Sequence, residues 1–179
     1  MILETKRLIL REFQESDFEA VQKYASDPEV VRYMEFGPNT EKDTRQFLQM
    51  RMQRQIEKPR RLYDFALVLK EGDRLIGSCG IVISQPEHIE ASLGYILNKD
   101  NWNQGLITEA SRRMMQFAFQ DLGVHRVFAT CDPANIASYS VMNKIGMKRE
   151  GHLREHKFAK GKWRDSLIYS ILEHEFTFK

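Results

Sequence analysis

Residues 90–110 read EASLGYILNKDNWNQGLITEA, and this stretch decides the fold class. Glu90 to Asn98 is a compact run of strand-compatible residues. A short polar loop containing Gly105 follows. A helix over 105–122 then places Leu106, Ala110, Met114, Phe117 and Ala118 on one stripe, and Gly123 supplies its stop. The next run, HRVFATC at 125–131, is again a strand. Strand, helix and strand in direct succession predict a right-handed crossover joining two parallel strands.

Working upstream, the runs 62–70 and 74–84 flank Glu71-Gly72-Asp73 and predict a hairpin, with Pro86 as punctuation after it. Residues 6–13 alternate Leu8, Leu10 and Phe13 with charged neighbours, as a half-buried strand does. Ser16-x-x-Glu19 predicts a capping box for a helix carrying Phe18, Val21, Tyr24 and Ala25 on one face. Asp27-Pro28 predicts a second short helix through Val30, Val31 and Met34. After the break at Gly37-Pro38-Asn39, Thr40 caps a longer helix to about Glu57, and Pro59 ends that region. Downstream, 136–145 is a helix ended by Gly146, and 163–176 a final strand with a break. The sum is a mixed α/β protein, one domain over 1–179, with a single open sheet and helices on both faces.

Composition narrows the function classes. The 179 residues are 42% hydrophobic and 29% charged, the mix of a soluble globular domain. No apolar run reaches the ~20 residues of a membrane span, and MILETKRLILREF lacks the order of a signal peptide. Cys79 and Cys131 sit in strand-like runs without CxxC or HxxxH spacing. Buried thiols are favoured over a disulfide or a metal pair, and the expected compartment is the cytoplasm. Net charge is +2, too balanced for a general nucleic-acid binder. The one local excess, Arg51, Arg54, Lys58, Arg60 and Arg61, reads as a solvated helix end and polar loop. Attraction of an acidic partner is the alternative.

Two places carry chemistry. The loop before the 105–122 helix offers unpaired amides and a dipole end to a phosphate, and Gly105 lets a ligand approach without a Cβ in the way. Neither GxGxxG nor GxxxxGK[ST] is present, which disfavours dinucleotide folds and P-loop NTPases. The second place is DPANIASYSVMNKIGM, 132–147, with Asn135, Ser138, Lys144 and Gly146. Capping and termination of a helix would account for these residues by themselves. Two successive strand–helix units, however, put both helix starts on the edge where open α/β sheets bind ligands. His88, His125, His152, His156 and His174 show no metal spacing, and no G-x-S-x-G elbow exists.

The segments LGYILNKDNWNQGLITEASRRMMQFAF and NIASYSVMNKIGMKREG resemble the acetyl-CoA site of GNAT acetyltransferases, in particular the Rim-type alanine N-acetyltransferase branch. TKRLILREFQESDFEAVQKYASDPEVVRYM and KGKWRDSLIYSILEHEF resemble that branch too, so the similarity spans nearly the whole chain. It implies a mostly antiparallel sheet with a central splayed parallel pair. It also implies acetyl-CoA as cosubstrate, no metal, and a primary amine as acceptor, on a protein N-terminus or a small molecule. Membrane and nucleic acid are not expected as partners, and a homodimer is left open.

Carried over by position, the pyrophosphate loop falls on Trp102, Asn103, Gln104, Gly105, Leu106 and Ile107, with the amides of Gln104 to Thr108 on the phosphates. Backbone groups of Ile96 and Leu97 would meet the pantetheine arm and acetyl carbonyl. Asn135 would bond the pantetheine region, while Asn143 and Lys144 come near the cofactor's far end. Ser138 matches a serine implicated in thiolate departure, with Tyr139 ranked below it. Glu90 and Glu155 are the candidate bases; His152 and His156 read first as satisfied structural histidines, with a place in the acceptor pocket as the alternative. The chain departs from the family pattern at Ile107 (usually Gly or Ala), Met142 (often a tyrosine) and Ser92 (often a glutamate). Those departures sustain a rival reading, a GNAT-fold module that binds CoA without catalysis.

Overall fold

A computed structural model describes residues 1–85 and 89–178. The punctuation expected at Pro86, and His88, lie outside the described residues. In chain order the elements are β1 (Ile2–Glu4), β2 (Leu8–Arg11), α1 (Phe18–Ala25), α2 (Glu41–Gln55), β3 (Leu62–Leu69), β4 (Arg74–Gln85) and β5 (Glu90–Leu97). They continue with α3 (Leu106–Gln120), β6 (Arg126–Cys131), α4 (Ile136–Lys144), β7 (Lys148–Ala159) and β8 (Lys162–Leu172). The strands form one open sheet in the order β1-β2-β3-β4-β5-β6-β8-β7. Every neighbouring pair is antiparallel except β5 with β6, which run parallel as the crossover predicted.

The period of two along each strand divides the interior into two cores. Phe65, Leu67, Cys79, Ile81, Leu93, Leu97, Val127 and Ala129 face the apolar stripe of α3 and Met142 of α4. Ala66 and Ile96 face the other way, against Val21, Tyr24 and Ala25 of α1 and Leu48 of α2. α3 is held by burial: Leu106, Ala110, Met114 and Ala118 are within 1% of complete enclosure. α2 has little apolar surface to bury and relies on polar ties. Thr40 caps its Asp43 amide, and Gln55 donates to the Phe13 carbonyl at 3.0 Å.

The structure corrects the sequence reading in several places. The 27–34 segment is a run of turns, not a second helix: Val31 N–H to Asp27 O is its only i to i+4 bond among those described. One such bond does not repay helix nucleation. At the start of α1 the cap is not Ser16 with Glu19. A short 3-10 turn, Glu15–Asp17, precedes the helix, and the Asp17 carboxylate accepts from the Gln14 amide while Arg11 grips it twice, at 2.7 and 2.8 Å. The predicted final strand at 163–176 starts at Lys162 and ends at Leu172, and β7 before it was not anticipated. Its sequence KREGHLREHKFA is exposed almost throughout, so no buried face imposes an alternation to read.

The feature that matters for the site is where β5 and β6 part. They pair only from Glu90–Arg126 to Ser92–Phe128. Beyond that, β5 continues with β4 as far as Gly77–Leu97, and β6 with β8 as far as Cys131–Leu167. Each half-strand follows its outer neighbour, and the centre of the sheet opens. The two cysteines are free and buried.

Candidate active site

A cleft of about 1140 Å³ runs through that opening, from the loop before α3 to the face covered by α1 and α2. At the loop end, Asn98 caps a 3-10 turn over Lys99–Asn101, and Trp102 Nε1–H donates to the Leu97 carbonyl at 2.9 Å. Asn103 (φ +60) and Gly105 (φ +73) both take left-handed backbone, which turns successive amides toward one side. Gly105 is thus the residue that caps α3 rather than its first residue. The first helical bond joins Glu109 N–H to Gly105 O at 3.0 Å, leaving the amides of 106–108 without helical partners.

Arg7, from the turn between β1 and β2, fixes this loop. It donates to the Gln104 carbonyl at 2.9 Å and to Glu109 at 2.7 Å. Glu109 also accepts from the Thr5 hydroxyl and the Arg7 amide. Burial would raise its pKa, but these donors outweigh burial and hold the carboxyl below its ordinary range. The sequence reading did not single out Arg7. Its role depends on the Glu109 side chain, 102 positions away in the chain, which no local pattern announces.

Ile96, Leu97, Asn103, Gly105, Leu106, Ile107, Thr108, Asn135, Ser138 and Lys144 all line the cleft. Gln104 is not among the residues that line it, and its carbonyl is taken by Arg7. Asn135 Oδ1 accepts from the Ser138 amide at 3.2 Å, so this side chain does cap α4. The Ser138 hydroxyl faces the gap between the parted strands, 3.1 Å from the phenol of Tyr95, which also donates to the Ser138 carbonyl at 3.0 Å. Burial pushes the Tyr95 pKa up. Met142, which stands where the resemblance implies a tyrosine, is 1% exposed.

Other candidates lie off the cleft lining. Tyr139 packs against the α3-side core, and Asn143 is exposed on the outer side of α4. Glu90 is paired with Arg126, which also holds Glu150. Its position in the strand sets its face, but the register brings it opposite Arg126, at the closed end of the β5–β6 pair. Glu155 sits at an irregularity of β7 with φ +47, in a separate depression with His152. His152 is paired with Asp165 at 2.7 Å, whereas His156 reaches the main cleft beside Ser166, 3.0 Å away. Among the described residues no group of three or more His, Cys, Asp or Glu is placed to hold a metal, and no helix is long and apolar enough to cross a membrane. In the basic stretch, Arg51, Arg54 and Arg60 each face a carboxylate.

At the far end the cleft meets polar groups from four elements: Tyr24 of α1, Arg51 of α2, Asp64 of β3 and Ser78 of β4. Arg51 Nε lies 2.6 Å from Asp64 and its guanidinium stacks over Phe47. The one signal in the sequence was Asp64 itself, a lone acid inside the apolar run LYDFALV.

Residues 7–148 match the family model of the acetyltransferase (GNAT) domain. The chain is 36% identical over 177 residues to the uncharacterized N-acetyltransferase YnaD of Bacillus subtilis, covering 99% of this chain and 100% of that protein. A GNAT-family acetyltransferase structure from Bacillus anthracis superposes with a TM-score of 0.87 at 34% identity, over 98% of this chain and 100% of that one. The ribosomal-protein-S5-alanine acetyltransferase of Vibrio fischeri shares the fold, with a TM-score of 0.84 at 19% identity and coverage of 99% and 100%.

Proposed function

The chain belongs to the GNAT acetyltransferase domain family, and from that premise we propose that it transfers the acetyl group of acetyl-CoA to a primary amine by direct attack in a ternary complex. The observation that carries this reading is the through-cleft itself. It has unpaired amides at one end, a parted strand pair in the middle and a polar pocket at the other. The residues fit the cosubstrate. A Cβ at Gly105 would meet only Arg7 Nη2, at 3.7 Å, so the backbone is open to a phosphate.

In this reading the amides of Gln104 to Thr108 hold the phosphates. Backbone groups of Ile96 and Leu97 meet the pantetheine arm and polarise the thioester carbonyl. The Asn135 amide nitrogen, free because only Oδ1 serves the cap, donates to pantetheine, and Lys144 lies toward the cofactor's far end. The Ser138 hydroxyl stands where the thiolate departs, backed by the Tyr95 phenol, and so replaces the tyrosine missing at Met142. The acceptor is a protein N-terminus or a small amine, and the whole chain, 1–179, acts as one unit. Two unpaired buried thiols support a cytoplasmic setting.

The test is heat protection joined to turnover. Acetyl-CoA at ~100 times its Kd should stabilise by about 2.7 kcal/mol, and NAD or ATP much less. A panel of N-terminal peptides and small amines should then release free thiol. No melting shift at millimolar acetyl-CoA refutes the reading. Protection without turnover on any amine favours the non-catalytic module.

A further inference from the structure

Across the sheet face toward α1 and α2, Asp64 of β3, Gly80 of β4 and Gly94 of β5 stand in one row, paired in succession. The Asp64 carboxylate lies over Gly80: a Cβ there would stand 2.7 Å from Asp64 Oδ1. A Cβ at Gly94 would meet nothing within 4 Å. The missing side chain at Gly80 makes room for the carboxylate itself, and the missing one at Gly94 leaves an open lane of about one strand spacing, ~4.8 Å, from the carboxylate to the strand that borders the parted centre.

Asp64 is suited to what that lane delivers. Its side chain is 9% exposed, and the described hydrogen bonds engage only Oδ2, with Arg51. Beside it the Tyr24 side chain lines the cleft, and its buried hydroxyl has no hydrogen-bond partner among the described residues. Burial raises the Asp64 pKa against the pull of Arg51 and, less, of the Ser78 hydroxyl, which favours uptake of a proton. The other acids of the cleft are committed. Glu29 faces Lys99, Glu35 faces Lys157, Asp132 accepts from the Ala134 amide, and Asp165 holds His152 and the Glu155 amide.

We propose that Asp64 receives the acceptor's ammonium group and takes its proton, presenting a neutral amine to the thioester. The inference rests on the acetyl-transfer reading. In the step, an N–H bond of the ammonium breaks and the proton passes to an Asp64 oxygen, directly or through one water. The freed lone pair forms the C–N bond to the acetyl carbon. The C–S bond breaks with its electron pair on sulfur. A second proton from the nitrogen ends on that sulfur, so CoA leaves as the thiol, and Asp64 returns its own proton to water. Arg51 is a positioning residue, holding the carboxylate over Gly80.

The test needs no knowledge of the acceptor. S-(2-aminoethyl)-CoA places an ammonium where the attacking amine would stand, and S-ethyl-CoA is its uncharged control. Titration calorimetry at neutral pH should show wild type binding the aminoethyl compound at least about tenfold more tightly, the scale of one hydrogen bond to a charged group. Asp64→Asn should abolish that preference and leave S-ethyl-CoA affinity unchanged. Equal binding by wild type, or a preference kept by Asp64→Asn, overturns the proposal. Should Asp64→Asn not fold, wild type is titrated from pH 8 to pH 4. Arg51 from α2 and Tyr24 from α1 face the carboxylate, and neither residue type titrates in that range, so the preference must fall as Asp64 is protonated. A preference constant to pH 4 overturns it. Failure of both thioethers to bind would remove the acetyl-CoA reading and this proposal with it.

Discussion

Replacing Gly105 by alanine and, separately, by asparagine tests the phosphate loop through two quantities that should move apart. Gly105 has φ +73, so an alanine there carries left-handed strain of about 1–2 kcal/mol. For a chain of this size that lowers the melting temperature by roughly 2–8 °C. Asparagine tolerates the same backbone better and should lose less. Either Cβ adds bulk at the loop whose 106–108 amides lack helical partners, and its only protein neighbour within 4 Å is Arg7 Nη2 at 3.7 Å. A phosphate displaced from one charge-assisted bond loses about 1.5–3 kcal/mol, or at least about tenfold in affinity. Acetyl-CoA at ~100 times the wild-type Kd stabilises wild type by about 2.7 kcal/mol, but a tenfold weaker variant by only about 1.4 kcal/mol. Thermal melts with and without acetyl-CoA should therefore show the ligand-induced rise roughly halved in both variants, although their unliganded melting temperatures differ. If both fold and both keep the full wild-type rise, the loop is not where the phosphates sit.

Ser138→Ala should lower turnover on an accepted amine by roughly 10- to 1000-fold with little change in acetyl-CoA affinity. The Tyr95 phenol keeps its bond to the Ser138 carbonyl, so stability should fall by no more than about 1 kcal/mol; unchanged steady-state rates would remove Ser138 from the mechanism. Glu109 has its pKa depressed in the folded chain, so its contribution is fully present above the unfolded value of about 4.3 and is lost as pH falls from there through the lower folded pKa. Glu109→Gln should accordingly melt lower than wild type at pH 7, with the gap narrower at pH 3. A gap of equal size at both pH values would mean that the carboxylate charge contributes nothing.

What proved legible was local. The stripe on α3, the hairpin at 71–73, the Thr40 cap and the parallel pair all arise from residues within a few turns of one another, where spacing reports burial directly. β7 was illegible because an edge strand exposed on both sides has no buried face to set a period. The 27–34 segment misled because Pro28 suits a helix start, yet a single i to i+4 bond is all that forms there among those described.

For the cleft, the sequence by itself determined the loop at Gly105, the cap at Asn135 and the placing of Ser138, since each is set by a strand or loop running straight into a helix. Whether a carboxylate reached the cleft was decided only by the tertiary structure. Register carried Glu90 to Arg126, an irregularity in β7 carried Glu155 to the outside, and two cross-strand glycines opened the way for Asp64. The physical reason is that a strand's period fixes which face a side chain takes, while pairing with a distant strand fixes where along that face it ends.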